Sequence, residues 1–142
     1  MNRRQAIAKD ISMIMPKIAR MMAQSFAKSY ETMPPVQIFA ILIIEKAEIC
    51  HLYDLANELR VSPPTATGIV DRLQKQKLVM RIPDPDDRRA IIIKLTLSGR
   101  GLAREIKNGI YKRWEILLQK LSLTECETYL RIIKKLHASL EE

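Results

Sequence analysis

The sequence has 142 residues, 47% of them hydrophobic, and a formal net charge of +8. This length favours one domain with a real core, the composition excludes disordered and collagen-like chains, and two cysteines are too few for a disulfide scaffold. The longest apolar run, residues 36–44, is too short to span a membrane, and residues 1–13 lack a signal-peptide core. We therefore expect a cytoplasmic protein with no membrane partner.

An amphipathic helix is predicted over residues 5–28, because apolar residues recur there every three or four positions. Pro16 is expected to kink this helix, since proline removes a backbone donor and crowds the preceding turn. Pro34 and Pro35 suit the first turn of a second helix that ends near Glu45. The sequence VQIFAILII in this second helix is apolar on most sides, so the helix is expected to be central and buried.

Two shorter helices are predicted next. One covers residues 52–59, and the other begins after Ser62, a favourable N-cap that is followed by proline, and ends near Lys77. In the later helix, apolar side chains gather on one face and small or polar ones on the opposite face. The inward face is predicted to hold Ala66, Ile69, Val70 and Leu73. The outward face is predicted to hold Pro64, Gly68, Asp71 and Lys75, with Thr65 and Arg72 at its edge.

A β-hairpin is predicted after these helices. Residues 78–82 and the β-branched residues 90–95 have strand patterns, and the loop between them is rich in Pro and Asp. Two adjacent arginines, Arg88 and Arg89, lie near the tip of this hairpin.

Two helices complete the chain. Thr96 is expected to cap a long helix over residues 97–120, and Ser122 with Glu125 fits a capping box for the last helix. The last helix has a narrow apolar seam that suits packing against another helix. The seam consists of Leu123, Cys126, Leu130, Ile133, His137 and Leu140.

This order of elements predicts a winged helix-turn-helix, a mainly α fold with a small β-hairpin wing. A helix about 10–12 Å across fits the major groove of B-DNA, and an arginine on the hairpin suits the negative potential of a narrow minor groove. The charge distribution agrees, because residues 60–100 carry nine Lys and Arg against four Asp. The preceding residues 34–59 have the opposite sign, with one Lys against four Asp and Glu.

The chain resembles the MarR family of transcriptional regulators over residues 33–101. The most specific match is DRR at residues 87–89, followed by a strand and LTLSGR at residues 95–100. The second match is VDRL at residues 70–73. The flanking helices match in length and placement more than in motif.

The resemblance implies a division of the chain into two regions within one intertwined domain. Residues 33–100 would form the DNA-binding lobe, and residues 1–32 with residues 101–142 a helical dimerisation region. The protein would then be a homodimeric repressor that binds a pseudo-palindromic operator in double-stranded DNA. A small aromatic or phenolic effector, bound between the two regions, would release it, although the sequence assigns no effector-binding residues.

The resemblance also implies roles for individual residues. Arg89 matches the wing arginine that enters the minor groove, and Asp87 matches the carboxylate that holds it in place. Ser62, Thr65 and Thr67 match positions near the start of the recognition helix that contact phosphates and bases. The complete set of expected DNA-contacting residues is Ser62, Pro64, Thr65, Thr67, Gly68, Arg72, Lys75, Arg81, Asp87, Arg88 and Arg89.

Two residues depart from the family pattern. Gly68 stands where the family often has Arg, so one DNA contact is either missing or made elsewhere. Lys77 stands where the family usually has Gly, and because Lys disfavours a positive φ, we expect the turn to differ locally. Two roles stay open for Arg72, a DNA contact or a brace within the domain. Lys75 and Lys77 fit a phosphate contact and a solvated face equally well.

Two other classes of function compete with DNA binding. The main alternative is a winged-helix protein-interaction module that uses the hairpin for a partner protein. An enzyme is a distant third, because the chain has two histidines and neither a Gly-rich phosphate loop nor a nucleophile motif. Cys50 beside His51 lacks the further ligands of a metal site and better fits a small buried residue, so no metal or cofactor is expected. The methionines of residues 1–33 fit dimer-core filling better than an effector pocket.

Overall fold

The computed structural model describes residues 1–27 and 33–141. Within these ranges the chain forms six α-helices and a two-stranded antiparallel sheet, which confirms the expected mainly α fold with a hairpin wing. The elements are α1 (Arg3–Ala27), α2 (Pro35–Lys46), α3 (Leu52–Leu59), α4 (Pro63–Lys75), β1 (Val79–Pro83), β2 (Ile91–Leu95), α5 (Leu97–Leu118) and α6 (Leu123–Leu140).

The buried core lies in the middle of the chain. Every buried apolar side chain of the described residues falls between Ile38 and Ile106. At its centre, α2 packs against α3, α4, α5 and β2, as its apolar sequence predicts. One side of α2 stays open, however, and Phe39 on that side is 58% exposed. The helix is therefore central to the core without being enclosed all round.

Local sequence signals start α4 where they were predicted to. The side chain of Ser62 accepts a hydrogen bond from the backbone N–H of Thr65, and Pro63 occupies the first turn, where it removes no helical hydrogen bond. The helix ends at Lys75, slightly earlier than the apolar pattern indicated. Its buried residues are Ala66, Ile69, Val70 and Leu73, as predicted. The opposite face of α4 is thereby left outside the core.

The turn between α4 and β1 keeps a positive φ without a glycine. Lys77 has φ of 59°, the left-handed conformation that glycine adopts most easily. Its carbonyl oxygen accepts a hydrogen bond from the Thr96 hydroxyl at 2.7 Å, and its N–H donates to the carbonyl of Gln74 at 2.9 Å. Lysine therefore adopts this conformation, held by contacts on both sides, rather than avoiding it.

The wing is joined closely to the start of α5. β1 pairs with β2 in a register that sets Val79 opposite Leu95 and Pro83 opposite Ile91. The Thr96 side chain accepts from the N–H of Gly99 and so caps α5, as predicted. A Cβ atom at Gly99 would stand 2.0 Å from the backbone oxygen of Leu78, so only glycine allows this close approach.

The terminal helices contribute few side chains to the buried core. α1 continues through Pro16 and packs against α5, but no side chain of residues 3–23 is buried. α6 begins with the predicted capping box of Ser122 and Glu125 and has no buried residue. The predicted end of the first helix, at residue 28, lies outside the described residues. No helix in the described part of the chain is long and apolar enough to cross a membrane.

Candidate DNA-binding interface

The outward face of α4 presents small groups around its first turn. Pro64 and Thr65 are exposed, and the Thr65 hydroxyl lies 2.8 Å from that of Ser62. Thr67 is half-buried, and its hydroxyl donates to the carbonyl of Pro63 at 3.1 Å. Each of these hydroxyl oxygens keeps further hydrogen-bonding capacity, because a hydroxyl has one donor and two acceptor positions. The helix start is therefore rigid and still able to bind phosphates.

Gly68 lies one turn further along α4 and has no packing reason to be glycine. No atom lies within 4 Å of the position that a Cβ would take there. The space in front of this residue is thus open, and the helix backbone can be approached closely. This is consistent with a face that meets a flat or grooved partner.

The tip of the wing carries two cations without a carboxylate partner. Arg88 and Arg89 are exposed, and neither forms an ion pair within the described residues. Asp87 Oδ1 accepts from the backbone N–H of Arg89 at 3.0 Å and so holds the turn. The expectation that Asp87 holds the guanidinium of Arg89 is therefore not met, because its carboxylate fixes the backbone instead.

A different arginine braces the lobe. The guanidinium of Arg81 on β1 is 2.6 Å from the Asp71 carboxylate and also donates to the side-chain oxygen of Gln74. These bonds tie the wing to α4 and occupy Arg81, which had been expected to contact DNA. Arg72, for which a bracing role was considered, is exposed and forms no ion pair in the described chain. Its guanidinium is available to a ligand.

The structure does not distinguish a phosphate contact from a solvated face for the two lysines near the end of α4. Lys75 and Lys77 are exposed and form no ion pair among the described residues. Together with Arg72 they place uncompensated positive charge at this end of the helix. Such charge fits phosphate contacts and a solvated face alike.

Sequence reasoning missed a link between the helix-turn-helix and the wing. His51 Nε2 lies 2.7 Å from the carboxylate of Asp84, at the base of the wing loop, and Nδ1 lies 3.2 Å from that of Asp54. His51 and Asp54 form a capping box at the start of α3. The spacing of a possible N-cap and an acid three residues later was the available signal.

Cys50 is buried, as predicted. It is 3% exposed. Burial, with smaller contributions from Asp54 and Glu58, raises the pKa of Cys50 to about 11. A thiol with so high a pKa is a poor nucleophile and metal ligand at neutral pH. Among the residues that the structure describes, no cluster of His, Cys, Asp and Glu could hold a metal ion.

Comparison with known proteins agrees with this geometry. The chain is 30% identical over 101 residues to the uncharacterised HTH-type transcriptional regulator YwhA of Bacillus subtilis, covering 71% of this chain and 73% of that protein. The model of the MarR family matches residues 33–91, the part of the chain that contains the helix-turn-helix and most of the wing. The chain belongs to the MarR family of transcriptional regulators. It is a DNA-binding regulator of the helix-turn-helix type and not an enzyme.

Other known proteins are similar over most of the chain. The HTH-type transcriptional repressor MdtR of Bacillus subtilis is 30% identical over 122 residues, which are 85% of this chain and 76% of that protein. A MarR family protein from Bacillus stearothermophilus has the same fold, with a TM-score of 0.85 and 22% identity over 100% of this chain and 99% of that one. Wild-type MarR from E. coli has a TM-score of 0.74 and 24% identity, and the match covers 91% of this chain and 95% of that one.

Proposed function

We propose that this protein is a repressor that binds a pseudo-palindromic operator in double-stranded DNA as a homodimer. Each protomer would place α4 in a major groove and the wing tip against the adjacent minor groove. The two major grooves would lie about one helical turn, or ~10 base pairs, apart. The observation that carries this proposal is the exposure of Arg88 and Arg89, which form no ion pair among the described residues, beside the open polar face of α4.

The charges of the lobe support DNA over a protein partner. A protein-interaction module is expected to expose apolar side chains on the outward face of α4, whereas that face carries Asp71, Arg72 and Lys75. Lys and Arg on the lobe would release counterions on binding, so affinity for duplex DNA should fall steeply with salt. A steep dependence supports the regulator, and no binding to any duplex supports the interaction module.

The terminal helices support a homodimer. α6 exposes apolar side chains along one seam, with Leu130 53% and Ile133 39% exposed. α1 exposes a second stripe through Ile7, Ile11 and Ile14. Stripes of this length are costly to leave in water, and a second copy of the chain offers the matching helices. Repression itself rests on likeness to MdtR, which is named a repressor.

An effector site is supported by a cleft between α1 and the lobe. The cleft encloses about 360 Å³ and is lined mainly by apolar groups, among them Met22, Met33, Phe39 and Ile110. The cleft adjoins both regions. A ligand that binds it more tightly in one conformation than in another would therefore shift the spacing of the recognition helices. A small aromatic acid is the expected class because Arg20 also lines the cleft. Weaker DNA binding in the presence of benzoate would support this site.

The decisive test of DNA binding uses Arg89. Duplexes selected by the protein from a random library provide the probe, and Arg89→Ala is expected to weaken their binding by about 1–3 kcal/mol in a fluorescence anisotropy titration. Sedimentation should show that the oligomeric state is unchanged. Arg104→Ala, which removes the same charge from an exposed position on α5, is the control. Equal affinities for Arg89→Ala and the unaltered protein would contradict the role of the wing.

A further inference from the structure

His51 lies where the helix-turn-helix meets the wing. It is the N-cap residue of α3, its backbone N–H donates to Asp54 Oδ2 at 3.0 Å, and it forms an isolated bridge with Ile92 of β2. Its ring stacks on Tyr53, with centroids 5.1 Å apart and planes within 4°. Its Nε2 reaches Asp84, which is 33 residues further along the chain, at 2.7 Å. One side chain thus contacts both parts of the lobe.

Both ring nitrogens of His51 face carboxylates. Nδ1 lies 3.2 Å from Asp54 Oδ2, and Nε2 lies 2.7 Å from Asp84 Oδ2. A neutral imidazole has a single N–H and can donate to one of these groups only, whereas an imidazolium donates to both. The arrangement is therefore complete only when the ring is protonated. The loss of one proton leaves a lone pair opposite a carboxylate.

The other oxygen of Asp84 holds the wing loop. Asp84 Oδ1 accepts from the backbone N–H of Asp86 at 2.9 Å, and the backbone N–H of Asp84 donates to the carbonyl of Ala90 at 3.1 Å. The same carboxylate therefore closes the turn that leads to Arg88 and Arg89, and anchors it to His51. The side chain of Asp84 is 12% exposed, so water competes weakly for these bonds.

We propose that His51 is a positioning residue for DNA binding, which through Asp84 fixes the wing and its arginines relative to the helix-turn-helix. This proposal rests on the proposed DNA-binding function. A guanidinium on a fixed turn loses less conformational freedom on entering a groove than one on a loose loop. Deprotonation of His51 leaves one N–H for two carboxylates and removes the charge that strengthens the bond to Asp84, which loosens the wing and lowers DNA affinity.

The direction of the pH effect follows from the groups that face His51. The bond to Asp84 raises the pKa of His51 above its ordinary 6.5, with Asp54 adding to the rise and partial burial opposing it. The bond from His51, with that from the Asp86 N–H, lowers the pKa of Asp84 below 3.8. In the described chain, β2 meets His51 through a backbone bridge at Ile92, the ring stacks on Tyr53, and no cation other than His51 pairs with either carboxylate. The ion pair thus forms between these two pKa values and is lost as pH rises through the raised pKa of His51.

The test compares Asp84→Asn and His51→Gln with the unaltered protein. Asp84→Asn keeps the size of the side chain and removes the charge that holds the imidazolium. Asp86→Asn is the matched control, because it removes the same charge from a neighbouring exposed side chain that forms no hydrogen bond among the described residues. Affinity for the selected duplex is measured by anisotropy from pH 6 to pH 9 at constant ionic strength. Protection of the wing amides is measured by hydrogen exchange without DNA.

The unaltered protein and Asp86→Asn should lose affinity about three- to tenfold across this range. His51→Gln and Asp84→Asn should be weak at pH 6 and show little further change, and their wing amides should exchange faster than those of the unaltered protein. A role in folding alone would lower affinity equally at every pH. His137 is unchanged in every variant, so any contribution from it cancels in the comparison.

Each failure has a distinct meaning. Equal wing protection in Asp84→Asn and the unaltered protein at pH 6 would overturn the proposal, as would an unchanged pH dependence in both variants. If His51→Gln fails to fold, Asp84→Asn alone decides, because it leaves the cap of α3 intact. Faster wing exchange in Asp84→Asn, with no duplex bound by any form, would overturn the proposed function while supporting the link between His51 and the wing.

Discussion

The lobe buries its apolar residues, whereas the terminal helices leave theirs exposed. In the lobe, Ile41 and Leu55 are fully buried, and every core position is filled by the chain itself. In α6, Leu123 is 75% exposed and Leu140 is 76% exposed, and no residue of the helix is buried. Both regions have helical apolar periodicity. The periodicity therefore predicts which face will be covered, but not what covers it.

This contrast separates two sources of stability. Burial within the lobe contributes whether or not a second chain is present. Burial of the α1 and α6 stripes contributes only when another surface meets them, and so depends on protein concentration if that surface is a second copy. The hydrogen-bonded caps of α6 fix where the helix starts, but they leave its apolar seam open.

The largest expected effect is a truncation in the core of the lobe. Ile41→Ala removes a fully buried side chain and should lower the free energy of unfolding by about 2–5 kcal/mol at every protein concentration. Ile133→Ala, on the exposed seam of α6, should cost less than about 1 kcal/mol in dilute protein. At high concentration its cost should rise, because the dimer would bury this side chain.

Urea unfolding at several protein concentrations measures both variants. If Ile133→Ala lowers the free energy of unfolding as much as Ile41→Ala does in dilute protein, α6 is already packed within one chain. The difference between the lobe and the terminal helices would then be contradicted. A cost that never changes with concentration would contradict the homodimer.

The next effect concerns the junction between the regions. Gly99→Ala would place a methyl group 2.0 Å from the backbone oxygen of Leu78. The start of α5 would then have to move away from the wing, at a cost of about 1–3 kcal/mol. Gly109→Ala is the control, because nothing lies within 4 Å of its Cβ position, and alanine should stabilise α5 by about 0.5–1 kcal/mol. Thermal unfolding distinguishes them, and a stabilised Gly99→Ala would show that this contact is not tight.

Much of the fold could be predicted because its signals are local. The N-caps at Ser62, Thr96 and Ser122 depend on residues within three positions, and all three form. The buried face of α4 follows from its periodicity alone. The exposure of Phe39 could not be predicted, because it depends on which elements reach α2 from outside.

The candidate site was harder to predict because its side-chain pairs span long stretches of sequence. The wing arginines are exposed on the hairpin, but the resemblance places the guanidinium of Arg89 against Asp87, and no such ion pair forms among the described residues. The structure pairs Arg81 with Asp71, ten residues away, and His51 with Asp84, 33 residues away. A sequence shows which residues have charge, but the partner of each charge depends on how the hairpin folds back onto α3 and α4.

The smallest expected effect comes from removing helix N-caps, one in α6 and one at the junction of α5 with the lobe. Ser122→Ala removes the bond that the hydroxyl accepts from the Glu125 N–H at 3.2 Å, and should cost about 1 kcal/mol or less. Thr96→Ala should cost more, about 1–2 kcal/mol, because its hydroxyl also donates to the carbonyl of Lys77 and so joins α5 to the lobe. Ser139→Ala, inside α6, is the control and should change stability by less than about 0.5 kcal/mol. If Ser122→Ala costs as much as Thr96→Ala in dilute protein, α6 unfolds together with the lobe, and the two regions are one cooperative unit even without a partner.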